Sequence, residues 1–229
     1  MGAQPRMFLT AGLVAFAACS AHGGMIDLSG GWRASWDPSL DPYVDVFDVA
    51  VVVAQGVEVQ VIQKSAEFVQ PPPSPGFPFP TIPITFTQTR ADAVRYIAID
   101  DEIITNSTGI PWTDFHMVLL DGDDAHFDPV RTAGSGGGGP NGFSIEPFQS
   151  GSFTPNCKAF EVWEGVIPPG GHWYPGDGAT DGQLWMELVT GNGDDKPFTT
   201  FILKETPTPS PGTWALLGAA ALGVTRRKR

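Results

Sequence analysis

The residues best suited to chemistry in this chain are acidic, and they cluster beside glycines. "DGDDAHFD" (121–128) brings Asp121, Asp123, Asp124 and Asp128 close together, and "YPGDGATDG" (174–182) and "TGNGDD" (190–195) are similar. Calcium takes several oxygen ligands from loops of this kind. That makes Asp121, Asp123 and Asp124 calcium candidates, although none of the stretches matches the twelve-residue calcium loop that ends in Glu. The plainer reading is Asp and Gly as ordinary turn formers on a solvated acidic surface. The histidines offer less. Asp114 and His116 in "TDFHM" fall on one face of a strand, as half a metal site would. A zinc site needs three or four ligands, and no spacing obliges His126 or His172 to join them.

Nucleophilic chemistry has no signature here. There is no Gly-x-Ser-x-Gly elbow, and Cys157 has no base near it in sequence. Paired carboxylates of the glycosidase kind are conceivable among 25 acids, but nothing singles out a pair. Trp173 and Tyr174, in "PPGGHWYPGDG", are candidates for stacking on a sugar ring. The competing reading is a tryptophan folded back as a plug, since exposed aromatic patches are uncommon. "TNSTG" (105–109) carries an Asn106-Ser107-Thr108 sequon, of consequence only in a host that glycosylates asparagine, and otherwise a turn.

The elements that must position these residues read as strands. With 28 glycines and 22 prolines the chain is cut into short pieces, and no stretch sustains a 3.6-residue period. "YVDVFDVAVVV" (43–53) alternates and then turns uniformly apolar, as a central strand would. "VEVQVIQ" (57–63) alternates cleanly, and Gln55-Gly56 between them predicts a hairpin. "IPITFTQT" (82–89) points Ile82, Ile84 and Phe86 inward, with Pro83 marking an edge or a strand start. Further strands are expected in 94–100, 101–106, 112–122, 158–166, 182–190 and 198–205. The expectation is an all-β single domain, an antiparallel β-sandwich of jelly-roll-like form, over 25–205. The proline-saturated 70–81 must be extended, 133–142 is a glycine loop, and 206–212 reads as a stiff linker.

Both ends read as processing segments. Arg6, the apolar stretch Met7–Ala18 and the small residues that follow make a secretory signal peptide over 1–24. "FAAC" ending at Cys19 is a fainter lipoprotein-like box. Of the 13 basic residues, Arg6 falls in this leader and Arg226, Arg227, Lys228 and Arg229 in the tail. The body therefore keeps eight against all 25 acids, a net charge of −17. Such a surface repels nucleic-acid phosphates and anionic membranes, which excludes nucleic-acid binding. With Cys157 alone in the body no internal disulfide can form, and this cysteine reads as a buried small residue or a free thiol. An apolar core must hold the fold.

The tail (206–229) has three parts: proline-rich Pro209-Ser210-Pro211, an apolar run Trp214–Thr225, and the basic terminus Arg226–Arg229. The run makes a helix of only about 18 Å at ~1.5 Å per residue, short of a ~30 Å bilayer interior, so it spans only with its flanks. The basic residues would stay cytoplasmic, leaving the body outside. This order resembles the PEP-CTERM sorting domain of exported proteins of Gram-negative bacteria, with Pro-Ser-Pro where that family usually has Pro-Glu-Pro. "ITNSTGIPWTDFHM" (104–117) is also similar to an "N-x-TG…W-x-DFH" element of β-rich domains attached to such tails. The resemblance implies an exosortase-like membrane protease as partner and temporary anchoring in the inner membrane. It also implies delivery to the outer surface or outside the cell, in the company of extracellular polysaccharide. Three functions follow as expectations: a non-enzymatic surface or matrix protein first, a carbohydrate-binding module second, a secreted polysaccharide hydrolase third.

Overall fold

The computed structural model of the chain describes residues 24–74, 77–120, 122–137, 142–176 and 182–209. In chain order the strands are β1 (Met25–Leu28), β2 (Trp32–Ser35), β3 (Val44–Ala54), β4 (Val57–Phe68), β5 (Ile82–Gln88), β6 (Tyr96–Asn106) and β7 (Trp112–Leu120). Then come β8 (Ala125–Phe127), the helix α1 (Pro129–Gly134), β9 (Ser150–Phe153), β10 (Ala159–Trp163), β11 (His172–Trp173), β12 (Leu184–Leu188) and β13 (Thr200–Pro209). One sheet has the order β1-β2-β5-β13-β7-β10-β9; the other runs β3-β4-β6-β12-β8, with β11 added to β6. The all-β sandwich is therefore the fold, with the two sheets closing on one large apolar core.

The β3–β4 hairpin forms as expected. Gln55 (φ 49°) and Gly56 (φ 79°) both take left-handed backbone, the combination that matches the twist of a two-residue hairpin turn. The apolar run of β3 does not make it central, however. It is the outer strand of its sheet, and Val51, Val52 and Val53 are exposed on the hairpin arm. A second difference lies next to it: β4 and β6 pair in parallel. Between them the chain crosses to the other sheet to lay down β5, so it returns to its first sheet running in the original direction. Pro83 is tolerated inside β5 because β2 pairs with it only from Thr85 onward, leaving that side of Pro83 without a ladder partner.

Alternation places the core. In β5, Ile82, Ile84 and Phe86 point inward as read from the sequence. In β13 the inward row is Phe201, Leu203, Glu205, Pro207 and Pro209. That row corrects the linker expected at 206–212, since Thr206–Pro209 continue the strand, paired to β7 down to Trp112. A small second core of Val59, Val61, Ala98 and Trp185 lies outside the main one. It sits beside α1, whose Thr132 hydroxyl accepts from the Trp185 N–H at 3.0 Å. The helix was not expected, but its start has a local cause. Asp128 caps the Arg131 N–H at 2.9 Å and Pro129 supplies the fixed φ of a first turn.

Candidate functional site

Two inward rows carry a charge where an apolar residue belongs. In β4 the row is Ile62, Lys64, Ala66, Phe68; in β13 it is Leu203, Glu205, Pro207. A third charge, Glu102 of β6, joins them through a β-bulge. Register steps from Ile62↔Ile99 to Lys64↔Glu102, and Asp101 takes the extra place at φ 52°. Gln63 donates to the Asp101 carboxylate at 2.8 Å on the outer side. Before the bulge Ile97 and Ile99 face the core; after it Glu102, Ile104 and Asn106 do. One extra residue thus turns Glu102 inward beside Lys64.

The three side chains meet between the sheets. Lys64 Nζ donates to Glu102 Oε1 and to Glu205 Oε1, and all three side chains are 0% exposed. Their surroundings are apolar: Val46 is Lys64's register partner on β3, and Ile82 and Met117 flank Glu205. Burial, and then the charge of Glu205, raise the Glu102 carboxyl well above the usual carboxylate range against the pull of Lys64. Burial also pushes the Lys64 ammonium toward its neutral form, but the two carboxyl groups outweigh it and hold Lys64 above its ordinary value. Raising Glu102 toward its acid form relieves the repulsion between two carboxyl groups that share one amine. No other described group reaches Glu102 Oε2 or Glu205 Oε2, and a proton on Glu102 lets the two carboxyl groups hydrogen-bond to each other. Three ionisable groups closed off together are costly to keep charged, and they are the buried charged side chains of the described residues.

The residues singled out from the sequence go elsewhere. Trp173 is 1% exposed, with Phe115 and Phe148 each 5.0 Å away ring to ring. It is the plug, and the stacking role is corrected for it, because no face is free for a sugar. Tyr174 alone is open, at 44%. Asp121 lies outside the described residues. Asp123 is exposed, and Asp124 pairs with Lys196 at 2.9 Å, which ties the 121–128 loop to the one that follows Asn192. Asn192 Oδ1 accepts from three successive backbone N–H groups, those of Asp194, Asp195 and Lys196. Among the described residues no three His, Cys, Asp or Glu side chains gather around one point. His116 lies by Thr208 and Glu161, His126 by Glu187, and His172 by Thr105. Cys157 is a half-exposed turn residue at φ 53°, not a core one.

The "N-x-TG…W" element is a buried corner between the sheets. Asn106 Oδ1 accepts from the Thr108 N–H and hydroxyl at 3.1 and 2.8 Å. Its Nδ2 donates to the Ile110 and Ile167 carbonyls. Trp112 Nε1 donates to the Thr108 hydroxyl at 3.3 Å, and Gly109 supplies a φ of 76° that the turn requires. The amide nitrogen of the sequon is therefore already committed in the folded protein.

On the surface, Gln55, Asp100, Ser135 and Gln183 line a polar hollow of about 330 Å³. Gln183 donates to Asp100 there at 3.2 Å, and burial raises the Asp100 carboxyl above its usual value. Ser210, Pro211 and Arg226, Arg227, Lys228 and Arg229 of the expected sorting tail lie outside the described residues, as do Cys19 and residues 1–23 of the expected leader. Among the described residues no helix is long and apolar enough to cross a membrane. No family model, curated protein or solved structure matches this chain.

Proposed function

We propose that the protein is a non-enzymatic β-sandwich of the cell surface or extracellular matrix, exported through its leader and sorted by an exosortase-like protease acting on its tail. The observation that carries this reading is where the fold meets the tail. The last described core strand runs through the buried Pro209, the first residue of the Pro-Ser-Pro motif, so a cut beyond that motif spares every described strand. The acidic body suits a soluble surface protein, and its interior is filled by packed aromatics. Cell fractionation tests the reading. The expected result is a body recovered from the envelope or the medium in a form lighter than the full chain; full-length protein retained in the cytoplasm overturns it.

A second reading, a carbohydrate-binding module, is favoured by the polar hollow. Amide, carboxylate and hydroxyl groups at Gln55, Asp100, Ser135 and Gln183 are the partners that sugar hydroxyls use. A glycan array read with wild type and Gln183→Ala separates the two: glycan binding lost in the variant supports the module, and no binding by wild type removes it.

A further inference from the structure

We propose that Lys64 and Glu205 join in an intramolecular amide bond that covalently staples the two sheets, with Glu102 carrying the proton. Three buried observations point to it. A primary amine touches a carboxyl group on the opposite sheet, a second carboxyl group touches the same nitrogen, and all three side chains are closed off from water.

The reaction balances within the cluster. The Lys64 ammonium passes a proton to the Glu205 carboxylate, leaving a neutral amine and a neutral acid. Nζ then attacks Cδ of Glu205, forming the C–N bond. Glu102 accepts a proton from that nitrogen at one oxygen and returns one to the departing hydroxyl from the other. The Cδ–O bond breaks, water leaves, and Glu102 ends as it began. In bulk water an ammonium and a carboxylate resist this condensation. In an apolar interior their charged forms lose solvation, and fixed contact replaces a collision between two reactants. The product is a neutral amide, which removes a buried charge pair.

Geometry chooses Glu205 over Glu102 as the acyl group. Facing sheets pack about 10 Å apart, which leaves about 7 Å between Cβ atoms that point at each other. An extended Lys–Glu amide reaches about 8.5 Å between its Cβ atoms, enough to cross. Lys64 and Glu102 are register neighbours within one sheet, about 4.8 Å apart with side chains running side by side. Such a link would have to fold back on itself. Glu102, raised toward its neutral acid, is placed to move protons.

Intact-mass and peptide mapping of the full chain, purified without any cross-linker and denatured before trypsin, is the test. The expected result is a protein one water lighter than its sequence, no cleavage after Lys64, and a branched peptide joining the Lys64 segment to the one that begins at Glu205. Glu205→Gln should give the same branch with loss of ammonia in place of water, and Glu102→Gln should give the unbranched mass. Wild type at its full sequence mass with cleavage after Lys64 overturns the proposal, whether or not any variant folds. A branch at Glu102 overturns the assignment of the acyl group, and a branched Glu102→Gln protein overturns the proton-carrying role.

Discussion

At the scale of single residues, the polar side chains inside this sandwich serve connections. Gln88 is an example. Its Oε1 accepts from the Gly191 and Thr199 N–H groups at 2.8 and 3.1 Å, while its Nε2 donates to the Gly191 and Arg90 carbonyls. One buried amide thus satisfies the loop that enters β13. Trp173 is the apolar counterpart. Trp173→Ala should lower stability by about 3–5 kcal/mol in denaturant unfolding, as expected for deleting a large buried ring. Any glycan binding by the hollow should be unchanged in the fraction that remains folded. The plug was legible from "HWYPGDG" as one of two readings. What decided between them was Phe115 and Phe148, both distant in sequence.

At the scale of elements, β13 matters most. The sequence suggested that the fold stops near Glu205, because Thr-Pro-Thr-Pro reads as a linker. The alternation instead carries on through Pro207 and Pro209, whose rings fill the row below Glu205. Truncation after Pro209 keeps this whole row and serves as the reference. Truncation after Glu205 should lower stability relative to it by about 3 kcal/mol or more, from two buried apolar side chains alone, and it would set a new terminal carboxylate beside the buried Glu205 side chain. Thermal melts of the two truncated chains measure this. The bulge in β6 is the other decisive element. Its single extra residue breaks the period of two, so strict alternation puts Glu102 on the solvent face and hides it from any sequence reading.

At the scale of the whole molecule, charge sets the behaviour with pH. Burial raises the Asp100 carboxyl, and burial with a lesser push from Asp41 raises Asp45. Burial likewise raises Asp114, opposed by His116. The folded state therefore holds these protons more tightly than the unfolded chain. Their contribution is fully present below the unfolded value of 3.8 and is lost as pH rises through the raised folded values. Asp27, lowered chiefly by its hydrogen bond from Arg33, acts in the opposite sense only below about that same pH. Self-repulsion of the acidic body also weakens on acidification. The melting temperature should accordingly rise as pH falls from 7 toward 4.5, and a flat or falling curve over that range would contradict the argument.

The strands of clear alternation, the Gln55-Gly56 turn, the all-β class, the acidic body and the order of parts at the two ends are legible in the chain alone. Each rests on near neighbours in the chain: a period of two, a turn dipeptide, a charge count, a run of small or apolar residues. The tertiary structure decided what depends on partners far apart in sequence. It set β3 at the edge despite its apolar run, paired β4 with β6 in parallel, and carried the fold to Pro209. It also brought Lys64, Glu102 and Glu205 together. A charged residue in an apolar row signals that something faces it, but a one-dimensional pattern does not say what. The parallel β4–β6 register supplies one carboxyl group, and packing one sheet on the other supplies the second.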